Sequence, residues 1–300
     1  MRIAVVGVGA TGARAARQLA STDTVESVLV ADADPAQRRK VAELLGERAE
    51  ASDEAVPEAD VVLVASPAGT QADLATRALR QGSSVVTTSD AVGDVRGLLD
   101  LDAEAVERHA AIVVGAGFAP GLSCLLARHA VSALEEADEL HIAKVGTGGP
   151  ACAEQHHRAL GSEGLDWREG GWQTRSGGSG RELCWFPEPV GGRDCYRAAV
   201  PDPLLLVDAF PQLTRVTARL AANRRDRLTA RLPMLRRPHP EGGPGAIRVE
   251  VRGARAGSRD VIVYGAMDRP AVAAGAVAAV SARAVGDGTI ARRGAFGLAA

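Results

Sequence analysis

The segment Gly7-Val8-Gly9-Ala10-Thr11-Gly12 lies between an apolar, β-branched run, Ile3-Ala4-Val5-Val6, and a stretch from Ala13 to Ala20 that reads as a helix. Three glycines at that spacing, between strand and helix, leave few folds open. Gly7 permits the tight turn, Gly9 lets backbone approach a diphosphate, and Gly12 lets the helix pack close to the strand. The helix N-terminus then faces the phosphate charge. A second apolar run, Val28-Leu29-Val30-Ala31, ends at Asp32, where a carboxylate accepts hydrogen bonds from the adenosine ribose. The pattern predicts a dinucleotide-binding domain with Gly7, Gly9, Ala10, Thr11, Gly12 and Asp32 on the cofactor. Asp32 favours NAD, because a 2′-phosphate would meet a carboxylate. Arg38 and Arg39 follow closely and leave NADP open, although a solvated helix face is the ordinary role of such residues.

The alternation continues along the chain. Helices are expected over Gln37 to Leu45, Gln71 to Arg80 and Leu98 to His109, and strands over Asp60 to Ala65, Ser84 to Thr88 and Ala111 to Val114. Strands alternating with helices imply an α/β domain with a doubly wound parallel sheet and ligand at the strands' carboxyl ends. Ser66-Pro67 and Thr88-Ser89-Asp90 follow two such ends, which makes Ser66, Pro67 and Thr88 cofactor-side candidates; turn chemistry is their alternative role.

Past residue 139 the pattern changes. Leu140 to Val145, Leu183 to Phe186, Leu213 to Ala221, Ala246 to Val251 and Val261 to Tyr264 read as strands, and Ala153 to Leu160 and Ala271 to Val285 as helices. Gly161 to Gly180, polar and glycine-rich with Trp167 and Trp172 inside it, is expected to be a mobile loop over a site. Arg236 to Gly245, with three prolines and three glycines, is expected to be irregular.

Composition excludes several classes. Basic and acidic residues nearly cancel at 35 against 37, which disfavours a general grip on nucleic acid or an anionic membrane. Aromatics at 3% are too few for a base-stacking surface. No apolar run reaches the roughly 18–20 residues of a membrane span, and the N-terminal apolar run ends in glycines instead of a cleavage site. Cys124, Cys152, Cys184 and Cys195 form no C-x-x-C pair, so reduced cysteines, a cytoplasmic setting and no metal motif are expected. Lys40 and Lys144 are the only lysines.

Gly115-Ala116-Gly117-Phe118-Ala119-Pro120-Gly121-Leu122-Ser123, with Val85-Val86-Thr87-Thr88-Ser89-Asp90 before it, resembles the saccharopine dehydrogenase family and its carboxyspermidine- and homospermidine-forming relatives. Val145-Gly146-Thr147-Gly148-Gly149-Pro150 is similar to the loop that opens that family's second domain. The resemblance implies a Rossmann domain over residues 1–125, completed by about 268–300, and an α+β substrate or dimerisation domain over 126–267. A C-terminal helix returns to the Rossmann domain, and a homodimer is possible. It further implies hydride transfer at a C–N bond of an amino-acid or polyamine-like small molecule, with Gly117 at the cofactor and Gly148 at the substrate. Cys124 stands where the family usually has Asn, and Thr88-Ser89-Asp90 stands where a related sugar oxidoreductase family carries Glu-Lys-Pro, which argues against that second family.

Such chemistry needs a group that moves one proton near neutral pH. The candidates are His156, His157 and Lys144, with Arg193 and Tyr196 as a carboxylate clamp; packing and surface roles are the alternative for each. Glu154-Gln155-His156-His157-Arg158 also resembles the paired-histidine segment of dihydrodipicolinate reductase, another imine-reducing Rossmann enzyme. Cys124 at a helix start raises covalent catalysis as a rival. A non-catalytic NAD(P)-binding sensor shares the same glycine signature.

Overall fold

The computed structural model describes residues 1–234 and 238–300. The chain divides into two compact units: Met1–Ser89, Gly93–Phe118 and Ala271–Phe296 form one, and Asp90–Val92, Ala119–Pro270 and Gly297–Ala300 the other.

The first unit holds β1 (Arg2–Val6), α1 (Ala10–Ala20), β2 (Ser27–Ala31), α2 (Pro35–Leu45), β3 (Ala49–Ala51), β4 (Val61–Val64), α3 (Gln71–Arg80), β5 (Ser84–Thr87), α4 (Val92–Leu99), α5 (Asp102–Glu107) and β6 (Ala111–Val114). Strand pairing runs β6-β5-β4-β1-β2-β3, and every one of these pairs is parallel. That order reverses between β1 and β4, and ligands of doubly wound sheets bind at such a reversal. Ile3, Ala4 and Val5 of β1, and Val62, Leu63 and Val64 of β4, have no exposed surface, as central strands covered on both faces require. Each such Val, Leu or Ile contributes about 1.5–3 kcal/mol by leaving water.

The second unit holds α6 (Leu122–Ser132), β7 (Glu136–Val145), α7 (Pro150–Gly161), β8 (Gly164–Arg168), β9 (Gly171–Arg175), β10 (Glu182–Trp185), β11 (Gly192–Arg197), α8 (Asp202–Ala209), β12 (Arg215–Ala221), α9 (Arg224–Thr229), β13 (Gly245–Arg255) and β14 (Ser258–Asp268). Its mixed sheet runs β10-β11-β12-β7-β13-β14, with the β8–β9 hairpin attached to β12. Only β7 and β12 pair in parallel among the described strands of this sheet.

After β14 the chain enters α10 (Pro270–Gly286) and ends with β15 (Gly294–Gly297), which lies beside β6. The returning helix is tightly seated: a Cβ on Gly275 would stand 2.7 Å from Arg14 Cβ and 3.1 Å from Ala15 N, both on α1. The α/β architecture read from the sequence, with its closing helix, is therefore present.

Two local expectations need correction. Leu98 to His109 is not one helix: α4 ends at Leu99 and α5 begins at Asp102. Gly161 to Gly180 is not a bare loop, because β8 and β9 form a hairpin whose turn residues Glu169 and Gly170 have φ of 49° and 80°. Positive φ at both central residues is what a two-residue type I′ hairpin turn demands, and Trp167 and Trp172 meet edge-to-face across the strands at 5.1 Å. Residues 238–244 lie outside helix and strand, as the proline and glycine content predicts, while Arg236 and Arg237 fall outside the described residues. No helix among the described residues is long and apolar enough to cross a membrane.

Candidate functional site

The strand ends of the first unit meet at the reversal. Gly7 has φ of +87°, and a Cβ there would stand 2.7 Å from Ser66 N. A Cβ on Gly12 would fall on the Gly7 carbonyl oxygen, so strand turn and helix touch backbone to backbone. Gly9 is different: it is exposed, with nothing within 4 Å of its would-be Cβ. That open space lies directly at the N-terminus of α1, where Ala10, Thr11 and Gly12 form the first turn. The first turn of a helix has N–H groups without helical partners and a positive dipole end, which suits a diphosphate.

Asp32 Oδ2 accepts the Val8 N–H at 2.8 Å and Oδ1 accepts the Asp34 N–H at 2.9 Å, while Gln37 Nε2 donates to Val8 O at 2.9 Å. Arg38 is ion-paired with Asp53, and Arg39 is exposed. Ser66 and Pro67 sit in a turn closed by Thr70 Oγ1, which contacts Ser66 Oγ at 2.8 Å and donates to Pro67 O at 2.7 Å. Thr88 N donates to Val64 O at 3.0 Å, and Ala116 N, beside buried Gly117, donates to Thr87 O at 2.6 Å. All the residues expected at the cofactor therefore lie at the carboxyl ends of β1, β2, β4, β5 and β6.

The second unit contains a buried polar cluster. Helix α7 buries Ala153, His156, Ala159 and Leu160, a stripe with helical spacing, so His156 faces inward. His157 is turned about 100° away and contacts Leu232 O through Nε2 at 3.0 Å. Cys152, one turn before His156, completes the inward side. Asp90 Oδ2 lies 3.3 Å from His156 Nε2, and Cys152 Sγ lies 3.4 Å from Asp90 Oδ2 and 3.7 Å from His156 Nε2. His156 Nδ1 is buried without a hydrogen-bond partner.

Lys144, on β7, is 2% exposed and donates from Nζ to Ala119 O at 2.6 Å. Asp202, fully buried at the start of α8, has Oδ2 4.0 Å from Lys144 Nζ and takes the Ser123 hydroxyl on Oδ1 at 2.8 Å. A lysine end that reaches solvent is excluded.

Burial pushes the His156 imidazole towards its neutral form, but the interactions with Cys152 and the bond to Asp90 outweigh burial and Lys144, leaving its pKa at about 9. Burial raises the Asp90 carboxyl, yet the hydrogen bond and charge of His156, with Lys144, bring it below its ordinary value. Cys124 is fully buried, and burial together with the Asp202 charge pushes its thiol up to about 12. A thiol held protonated this way is no nucleophile, so the covalent rival is withdrawn.

Arg193 and Tyr196 are not brought together. Arg193 is exposed and donates to Gly192 O at 2.9 Å; Tyr196 is buried, with the Arg227 guanidinium 4.2 Å above its ring. Their separation by three residues places them on opposite faces of β11. Gly148 is buried in the turn before α7. Sequence reasoning left out Cys152, Ser123 and Asp202 and gave Asp90 no role of its own. Only the Cys152–His156 spacing, which puts both on one helix face, offered a signal.

Residues 1–116 match the family model GFO_IDH_MocA, described as an oxidoreductase family with an NAD-binding Rossmann fold. The first unit thus has the fold of an NAD-binding oxidoreductase domain. The match runs through Thr88-Ser89-Asp90, so the absence of Glu-Lys-Pro there does not set this half of the chain apart from that broader family. Among curated proteins none matches the sequence. The fold as a whole is similar to that of saccharopine dehydrogenase (L-Glu forming) from Saccharomyces cerevisiae, at TM-score 0.71 and 16% identity over 99% of this chain and 93% of that one. An amine dehydrogenase from Mycobacterium smegmatis gives TM-score 0.56 at 14% identity, over 99% and 94% of the two chains. GenD2 from gentamicin A biosynthesis, solved with NAD, gives TM-score 0.54 at 17% identity, over 97% and 86%. The fold likeness to saccharopine dehydrogenase expected from the glycine-proline motifs is present.

Proposed function

We propose that this chain is an NAD(P)-dependent oxidoreductase that acts on a C–N bond of a small amino-acid-like or polyamine-like substrate. The observation that carries this reading is the set of proton-carrying groups outside the nucleotide fold: buried Lys144 with Asp202, and buried His156 with partly exposed Asp90. Saccharopine dehydrogenase and amine dehydrogenase among the fold relatives support the same substrate class.

The residues present fit the cofactor. Ala10, Thr11 and Gly12 offer helix N-terminal amides, Gly9 leaves room for a diphosphate, and Asp32 retains acceptor capacity for a ribose hydroxyl. Ser66, Pro67, Thr88 and Gly117 complete the nucleotide side. Asp32, together with the engagement of Arg38 by Asp53, favours NAD over NADP. Bound NAD(P)H supplies the hydride for the carbon of a C=N bond. The protein must supply the matching proton to nitrogen, and His156, held by Asp90, carries one where Lys144 lies within electrostatic reach. Ser123 and Asp202 fix Lys144 against the Ala119 carbonyl. Within this reading, residues 1–125 with about 268–300 hold the cofactor and 126–267 the substrate.

The test is oxidation of NADH and NADPH against a panel of 2-oxo acids mixed with amines, with amino acids assayed in reverse. Turnover that falls at least tenfold in His156→Ala and in Lys144→Met, with coenzyme affinity unchanged, is the expected result. Tight coenzyme binding without turnover on any C–N substrate would instead favour the sensor.

A further inference from the structure

The geometry points to a transition-metal site at Asp90, Cys152 and His156, and we infer that the second unit binds a divalent ion of the zinc class there. One oxygen, one sulfur and one nitrogen converge on a single point. Their three separations are 3.3 Å for Nε2–Oδ2, 3.4 Å for Sγ–Oδ2 and 3.7 Å for Sγ–Nε2. A tetrahedral zinc with Zn–N and Zn–O near 2.0–2.2 Å and Zn–S near 2.3 Å sets its ligand atoms about 3.3–3.6 Å apart. Two of the three edges of one tetrahedral face fall in that range and the third, 3.7 Å, exceeds it by about 0.1 Å, so little rearrangement is needed.

The arrangement differs from a proton relay through a Cys–His–Asp triad. A relay uses both ring nitrogens, one towards the thiol and one towards the carboxylate. Here both partners meet Nε2, and Nδ1 reaches neither. Convergence on one nitrogen is what a shared ion requires.

Chemistry selects the kind of ion. Thiolate and imidazole together suit Zn²⁺, Co²⁺ or Fe²⁺ and are poor ligands for Mg²⁺ or Ca²⁺. Thiolate and carboxylate carry two negative charges, which offset a divalent cation, while Lys144 has Asp202 as its own counter-charge. Asp90 and Cys152 are partly exposed, so the ion has a route in. With three protein ligands the fourth position stays open to water or to a ligand carrying nitrogen or oxygen. This goes beyond the oxidoreductase reading and competes with it: an ion on Nε2 and Oδ2 occupies the atoms that would otherwise hold the proton. Zinc is accordingly an inhibitor, reversed by a chelator.

The experiment is a titration of the metal-free full chain with Co²⁺, followed by absorbance. One equivalent should produce the visible bands of tetrahedral cobalt and a thiolate-to-cobalt charge-transfer band in the near ultraviolet. Zn²⁺ should abolish both, and should slow alkylation of Cys152 by iodoacetamide. Cys152→Ser should lose the charge-transfer band with an unchanged melting temperature. Absence of the bands in the wild-type chain overturns the site, as does a charge-transfer band that survives in Cys152→Ser. The spectrum does not depend on turnover, so a chain that binds cobalt but shows no turnover even when metal-free would sink only the oxidoreductase reading.

Discussion

Asp32 accepts the Val8 N–H at 2.8 Å, so the carboxylate proposed to meet a ribose also fixes the glycine turn. Removing it therefore does more than delete a cofactor contact. Asp32→Ala should weaken binding of NADH and NADPH alike, since a hydrogen bond to a charged group is worth about 1.5–3 kcal/mol, which is roughly 10–150-fold. Asp32→Asn keeps an acceptor in the turn but removes the charge, and should narrow the preference for NADH over NADPH. Fluorescence titration with both reduced coenzymes measures this; an Asp32→Ala chain with undiminished NADPH affinity would show that the carboxylate serves the ribose alone.

Gly9 and Gly12 make a matched pair. Gly9 has a φ of −69° that any residue adopts and open space at its would-be Cβ. Gly9→Ala should hold the melting temperature of the parent or raise it slightly, by an amount equivalent to about 0.4–1 kcal/mol, while nucleotide affinity falls. Gly12→Ala drives a methyl onto the Gly7 carbonyl and should cost about 1–3 kcal/mol of stability. Thermal melts with and without coenzyme separate the two, and equal loss of stability in both would remove the distinction between a ligand-facing and a packing glycine.

The nucleotide half was legible because its signals are local. A strand, three glycines, a helix and an acid each constrain their neighbours, and the parallel order follows from the alternation. The weak elements there were those with little local signal: β3 is Ala-Glu-Ala, and the break at Asp100-Leu101 carries no proline or glycine. The second unit was legible as strands and helices but not as a site. Lys144, Asp202 and Ser123 meet only through the packing of β7, α6 and α8, and Asp90 reaches Cys152 and His156 only through the fold, and no spacing along the chain encodes either. The absence of a metal motif read from the cysteine and histidine spacings has the same origin, since Asp90 lies 62 residues before Cys152.

Acid stability provides a prediction independent of the site. Burial would raise the Glu250 carboxyl, but its ion pairs with Arg248 at 2.5 Å and Arg252 at 2.6 Å hold it below the usual value. A group depressed in the folded state stabilises above its unfolded value and loses that contribution as pH falls through the folded one. Glu250→Gln should therefore lower the melting temperature near pH 7, and the gap to the parent should close as the solution is acidified below the ordinary glutamate range, about 4.3. A gap that is constant with pH would mean that the loss is packing instead of charge.

Lys144 and Asp202 are buried together, and removing either leaves the other uncompensated at a cost of about 3–5 kcal/mol. Lys144→Met and Asp202→Leu should each lower stability by an amount in that range. The double variant should lose less than the sum of the two, because replacing a buried pair with apolar groups of similar size is often close to neutral. Activity should behave differently. If Lys144 serves proton transfer, the double variant regains stability without regaining turnover, and Asp202→Leu alone keeps more activity than Lys144→Met at a temperature where both are folded. Urea unfolding of the four chains gives the coupling energy, and turnover measured beside it separates the two roles. A double variant restored in both would make the lysine a structural counter-charge and return the proton wholly to His156.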